Sequence, residues 1–320
     1  MSYRHKMRVL SVVVPMNRTL LNPIALILGL LSACTTPAPA PSTPAQTKAP
    51  KIALVLGGGA VRGFAHIGVL KTLQAQGIVP DIVIGTSAGS VAGALYAAGN
   101  SGFDLQRIAF DLDKATVADV SLFGKGLLKG DALQNFINKT VGGKNIEDLK
   151  IPFACVATRL DTGEAVLFQR GNVAQAVRAS SAVPGVFQPA IINGVEYVDG
   201  GLVSPVPVRY AKQMGADFII AVDVSSPPTT NVSTSTADIV MRSFDIMGKS
   251  IRELELPQAD ILIRPDLSRI SSSDLESKHL AILEGEKAAL DVIPQIKERL
   301  RLRMEGSARP ALPTALPSHP

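Results

Sequence analysis

Tryptophan is absent from the 320 residues, and cysteine occurs only twice, as Cys34 and Cys155. So few cysteines exclude both a disulfide framework and a cysteine-based metal site. Aromatic residues make up only 4% of the chain, and no basic stripe interleaves with them, so no nucleic-acid footprint is present. The net charge of +5 does not revive that reading, because Arg4, Lys6, Arg8 and Arg18 all fall in residues 1–33, which hold no acid. The rest of the chain is close to neutral. The apolar run "LLNPIALILGLLSAC" (20–34) is too short to span a bilayer as a helix.

What that run does suggest is targeting. Positive residues lead into it and "LSAC" closes it, with small residues at Ser32 and Ala33, as in a secretory leader. The ending resembles the bacterial lipobox, which implies that residues 1–33 are a lipoprotein signal peptide and that Cys34 is acylated as the new N-terminus. Met16 is an alternative start, since Met16–Ala33 alone has the same layout. Several acyl chains on one residue make a stable anchor. Thr35 stands where an aspartate would resemble an inner-membrane retention signal, so the expected place is the outer membrane of the cell envelope. Residues 34–50 continue as a Pro/Ala/Thr linker, able to hold a domain within ~50 Å of its anchor at ~3.1 Å per residue.

A folded domain is expected over residues 51–304, with a disordered tail over 305–320. "KIALVL" reads as a strand covered on both faces, "RGFAHIGVLKTLQAQ" as a helix ended by Gly77, and "DIVIG" as a second buried strand. Further strands and helices alternate downstream, which gives one α/β domain with a doubly covered sheet. Cys155, in "PFACVATRL", reads as a buried strand thiol.

Two strand–helix junctions carry unusual glycine. "GGGAVRG" (57–63) frees backbone N–H groups at a helix start to face an anion, either a phosphate or the oxyanion of acyl transfer. A dinucleotide reading is a rival, since Asp81 lies roughly 20 residues on. In that fingerprint, however, the acid ends the second strand, and Asp81 begins one. "GTSAG" (85–89) matches G-x-S-x-G between a strand and a helix, the setting of a nucleophile elbow. Gly85 and Gly89 remove the bulk that a sharp turn at Ser87 cannot accommodate.

A nucleophilic serine needs a base. His66 lies within the first helix and reads as structural, whereas His279 could complete a Ser–Asp–His order as in α/β-hydrolases. Those enzymes place the elbow after several strands, and here it follows the second. "VDGG" (198–201) puts Asp199 at a strand end before Gly200 and Gly201.

Taken together, the glycine loop, G-x-S-x-G, "IPFACVATRLDTGEAVLFQRG", "AVRASSAVPGVFQPA" and "YVDGGLVSPVPV" resemble the patatin-like phospholipase family, in its bacterial, neuropathy-target-esterase-like branch. The resemblance spans residues 51–225. It implies a three-layer α/β/α sheet, Ser87 as nucleophile, Asp199 as proton acceptor, and an oxyanion hole from Gly58, Gly59 and Arg62. It implies lipid acyl esters as substrates, with neither metal nor cofactor. One departure is Ala60, where the family's loop has its second fixed glycine; with a negative φ its N–H could still be donated.

The leading reading is a membrane-anchored serine lipid hydrolase, and the non-enzymatic alternative is an envelope scaffold that keeps the fold. The leader makes its own prediction. Mass spectrometry of the mature protein should find an acylated Cys34 peptide, and Cys34→Ser should move the protein out of the membrane fraction. An unmodified N-terminus elsewhere would contradict the lipobox reading.

Overall fold

Uninterrupted runs of aliphatic residues cannot leave one strand face in water, so they force a sheet covered on both sides. The computed structural model describes residues 49–112, 129–225, 236–270 and 275–307. The leader, Cys34, most of the linker and the far tail lie outside the described residues. The strands are β1 (Ile52–Leu56), β2 (Ile82–Thr86), β3 (Phe153–Arg159), β4 (Ala165–Phe168), β5 (Ala190–Ile192), β6 (Val195–Asp199), β7 (Phe218–Val222) and β8 (Ile261–Ile263). They form one sheet of order β5-β6-β3-β2-β1-β7-β8, with β4 paired to β3. The strands β1, β2, β3, β7 and β8 run parallel, and β4, β5 and β6 add an antiparallel end.

The helices are α1 (Ala65–Ala75), α2 (Ala88–Ala97), α3 (Gly102–Asp111), α4 (Asp131–Val141), α5 (Val173–Ser180), α6 (Val208–Gln213), α7 (Thr236–Glu255) and α8 (Lys278–Ser307). Alternate residues of each strand point to opposite layers. Leu54, Leu56, Val83 and Ile220 pack with residues of α1, α2, α5 and α8. Ala53, Val55, Ile84 and Ile219 pack on the other face with Val208, Tyr210 and Ala211 of α6. The expected three-layer α/β/α arrangement is therefore present. Cys155 is fully buried in β3.

Strand β3 is the joint between the two halves of the sheet. Its first part pairs in parallel with β2, matching Thr86 to Val156, and its last part pairs antiparallel with β6, matching Ala157 to Asp199. The residue after Thr86 and the residue opposite Ala157 are thus brought to one end of the sheet by consecutive positions of one strand. Asp81 sits at the other end, where its carboxylate accepts from the Ile52 N–H at 2.7 Å. It ties strand starts together, which removes the dinucleotide role.

Helix α8 crosses α1 at backbone contact. A Cβ on Gly68 would lie 2.0 Å from the Ile282 carbonyl oxygen, and one on Gly285 would lie 2.0 Å from that of Ala65. Glycine ordinarily costs a helix about 1 kcal/mol against alanine, so these two are retained by the crossing rather than by the helices. Gly68→Ala should therefore destabilise, by about 2 kcal/mol, as overpacking does. For a domain of this size that is a fall in Tm of about 4–8 °C, measurable by thermal denaturation. An unchanged or raised Tm would mean that the helices separate freely.

Candidate active site

Ser87 follows β2 directly and caps α2, with φ 53° and ψ −123°. Such a backbone costs a non-glycine residue on the order of 1–3 kcal/mol and persists only where its surroundings impose it. Here they do. A Cβ on Gly85 would lie 2.4 Å from the Gly89 carbonyl oxygen, and one on Gly89 would lie 2.1 Å from that of Leu56. The Ser87 N–H donates to Ser180 Oγ at 3.0 Å, and that hydroxyl donates to the Val156 carbonyl at 2.6 Å. Sequence reasoning missed Ser180, although it lies in the quoted run "AVRASSAVPG".

Asp199 ends β6 and is held from every side. Its N–H donates to the Ala182 carbonyl at 2.9 Å, and its carbonyl accepts from Thr158 Oγ1 at 2.8 Å. The Gly201 N–H donates to Oδ1 at 2.6 Å. The other carboxylate oxygen, Oδ2, is buried and forms no regular hydrogen bond. Gly200 lies flat against β3, where a Cβ would meet the Val156 carbonyl oxygen at 2.1 Å. Burial raises the Asp199 carboxyl to about 6, against a smaller downward pull from the nearby Ser87 hydroxyl and the Gly201 N–H.

The glycine loop closes the third side. Gly58 runs so near the elbow that a Cβ on it would lie 3.3 Å from Ser87 Cβ. Its N–H, however, donates to the Pro205 carbonyl at 2.9 Å. That corrects one expectation: Gly58 shapes the hole but its N–H is already engaged, while the N–H groups of Gly59 and Ala60 have no internal acceptor among the described residues. Ala60 supplies a second correction, since its φ is +51° rather than negative. The turn keeps the glycine conformation even though the residue is alanine, at some cost in strain. His66 braces this loop from below. Its ring, fully buried, bonds the Gly57 carbonyl at 2.7 Å through Nε2, and desolvation drives its pKa down to about 4. The ring is therefore neutral, with the proton on Nε2 and Nδ1 buried without a partner.

Gly58, Gly59, Ala60, Arg62, Ser87 and Asp199 line one open cleft. The predicted nucleophile, acid and loop are thus brought together. His279 is not: it is exposed at the start of α8 and lies outside the cleft lining. Helix α7 adds Phe244, Asp245, Gly248 and Arg252 to the lining. Asp245 pairs with Arg62 at 3.7 Å. At its far end the buried Glu255 accepts from Ser204 Oγ at 2.9 and 3.0 Å, and the Ser204 carbonyl accepts from Thr86 Oγ1 at 2.9 Å. The helix is thereby tied to the residue preceding Ser87. Among the described residues no group of three or more His, Cys, Asp or Glu could hold a metal ion.

Residues 54–212, which run from β1 into α6 and include both Ser87 and Asp199, match the patatin-like phospholipase family. Over that span, about half its length, the chain is similar to the family. It is 37% identical over 192 residues to an NTE family protein of Mycobacterium tuberculosis, covering 59% of this chain and 53% of that one. It is also 37% identical over 190 residues to a lysophospholipase of Aspergillus fumigatus, covering 55% of this chain and 12% of that one. The chain thus spans about half the length of the mycobacterial relative and a smaller share of the fungal one. In architecture it is similar to VipD from Legionella pneumophila, with a TM-score of 0.56 at 15% identity, over 78% of this chain and 67% of that one.

The raised Asp199 carboxyl has a consequence for stability. Between about pH 4 and 6 the unfolded chain has released a proton that the folded chain keeps, so this group favours folding at low pH and the contribution fades as pH rises to 6. Asp199→Asn should gain on the wild type across that interval, by about 2–3 kcal/mol. His66 works in the opposite sense, its contribution fading as pH falls from 6.5 to about 4, but it cancels in the difference between the two proteins. Denaturant titrations at several pH values give the difference; a flat one would contradict a buried carboxylate.

Proposed function

We propose that this protein is a serine hydrolase of lipid acyl esters, of phospholipase or lysophospholipase type, and that Ser87 and Asp199 form its catalytic dyad. The observation that carries the reading is the buried, unpartnered Oδ2 of Asp199 in the same cleft as a serine on a strained elbow. The family match over residues 54–212 and the lysophospholipase name of the fungal relative support the substrate class.

In the proposed reaction Asp199 Oδ2 takes the proton as Ser87 Oγ attacks the ester carbonyl. A carboxyl near 6 is a better base at neutral pH than an exposed one, and it is half way to the acid needed next. The oxyanion faces the N–H groups of Gly59 and Ala60, the start of α2, and the Arg62 guanidinium. Collapse expels the alcohol, which receives the proton from Asp199 and leaves an acyl-serine. Water, deprotonated by the same carboxylate, then releases the fatty acid and restores Ser87. A single carboxylate can serve because an alkoxide leaving group needs only one proton returned. We further propose that the catalytic domain is held at the bacterial envelope, at the outer membrane, through acylated Cys34 and the linker that follows it.

Ser87→Ala and Asp199→Asn should each nearly abolish turnover of a lysophospholipid, and the double variant should be no worse than either single one, because the two groups act as a unit. His279→Ala should retain wild-type kcat within about threefold. Steady-state assays of purified variants decide the matter. An inactive His279→Ala beside an active Asp199→Asn would replace the dyad with a histidine triad.

A further inference from the structure

Helix α7 presents Phe244, Asp245, Gly248 and Arg252 to the cleft, a spacing that sets all four on one helical face. The family match ends before this helix begins. Asp245 is committed to Arg62. Arg252 is not committed in the same way. Its Nε stands 3.9 Å from Asp223 Oδ1, with the arginine side chain 13% exposed and the aspartate 2%. Asp223 is already satisfied by others. Arg264 donates to Oδ2 at 3.1 and 3.3 Å, and the Ser225 N–H donates to Oδ1 at 3.0 Å.

The charged groups around Arg252 are therefore Asp223, shared with Arg264, and the pair of Arg62 with Asp245. Three guanidiniums thus share two carboxylates, and of these groups Arg62, Arg252 and Asp245 line the cleft. Burial disfavours the Arg62 charge most, and the nearby Arg252 cation adds to that effect. Two like charges held at one cleft wall are a cost that an anion between them relieves. The helix also makes room for it. A Cβ on Gly248 would lie 3.0 Å from Arg252 Nη1 and 3.3 Å from Pro205 Cγ. With no side chain there, the guanidinium folds back one turn along its own helix into the cleft. A guanidinium offers phosphate a planar, two-pronged donor.

We infer that Arg252, with the Ser225 rim beside it, forms a subsite for the phosphodiester of a lysophospholipid whose acyl ester lies at Ser87. The subsite rests on the hydrolase reading given above and sharpens it: it sets the headgroup preference. Arg252 is a binding and specificity residue and takes no part in proton transfer. It selects esters that carry a phosphate over neutral glycerides of the same acyl chain.

The test compares kcat/KM for lysophosphatidylcholine and for monoacylglycerol of one chain length, in the same detergent micelles, for the wild type, Arg252→Gln and Arg252→Lys. Loss of a charge-assisted bond of this kind is worth roughly ten- to a hundredfold. In Arg252→Gln the ratio of phospholipid to neutral ester should fall by at least about tenfold, and Arg252→Lys should recover part of it. Equal losses on both substrates would mean that Arg252 merely holds the helix, and would overturn the subsite. Inorganic phosphate provides a second arm. If the site serves free phosphate instead of the lipid's own, added phosphate will change wild-type hydrolysis of the neutral ester while the substrate ratio stays the same in Arg252→Gln, which also overturns it. A third arm measures binding of an ether-linked lysophosphatidylcholine, which has no ester to cleave. Should the wild type cleave neither ester, the hydrolase reading falls. The subsite then stands if Arg252→Gln weakens ether-lipid binding by tenfold or more, and falls if it does not.

Discussion

Ser87 occupies a backbone conformation that it would leave at once if its surroundings relaxed, and most of the local architecture can be understood as preventing that. Gly85 and Gly89 let the turn close, Ser180 holds the amide, and the Val156 carbonyl holds Ser180 in its turn. The same strand, β3, fixes Asp199 one position further along through its pairing with β6. One strand thus sets both the strain on the serine and the reach of the acid. A single-residue slip in the β3–β6 register would turn the Asp199 side chain to the opposite face of the sheet.

The loop after β1 shows how the backbone is committed before any substrate arrives. His66 locks the Gly57 carbonyl and Pro205 captures the Gly58 amide, so the chain is anchored on both sides of the turn. What remains without an internal acceptor, among the described residues, are the amides of Gly59 and Ala60. The positive φ of Ala60 is the strain left over from that anchoring. A donor group held in place by the fold costs no reorganisation when charge develops opposite it, and electrostatic stabilisation depends on that property.

Much of this was legible in the sequence, because it is written in glycine. Ser87, Asp199 and the loop each stand between a strand and a turn, and close backbone approach leaves a local mark wherever it occurs. The groups that were not legible act at a distance. Ser180, Asp245 and Arg252 look like ordinary helix residues until the sheet order is known. The engagement of the Gly58 amide depends on Pro205, a partner far along the chain. Short elements escaped for a different reason. Strands β5 and β8 have three residues each, too few for a period to show, whereas α3 and α4 were passed over although each buries a stripe at helical spacing, Leu105 and Ala109 in one and Leu133, Ile137 and Val141 in the other. For α3 a signal was nevertheless present, since Ser101 and Asp104 form a reciprocal cap at its start.

The pairing of β6 with β3 also sets a timetable. Ser87, its tight turn and the glycine loop all follow the first two strands, whereas Asp199 arrives on a strand made much later, and the helix bearing Arg252 later still. Contacts between such distant segments form late in folding, after the loop-closure cost has been met. A chain emerging from the ribosome therefore carries Ser87 before Asp199 stands beside it. Under the proposed dyad, the growing chain is inert towards esters and gains its activity only when the antiparallel end of the sheet closes onto the parallel one.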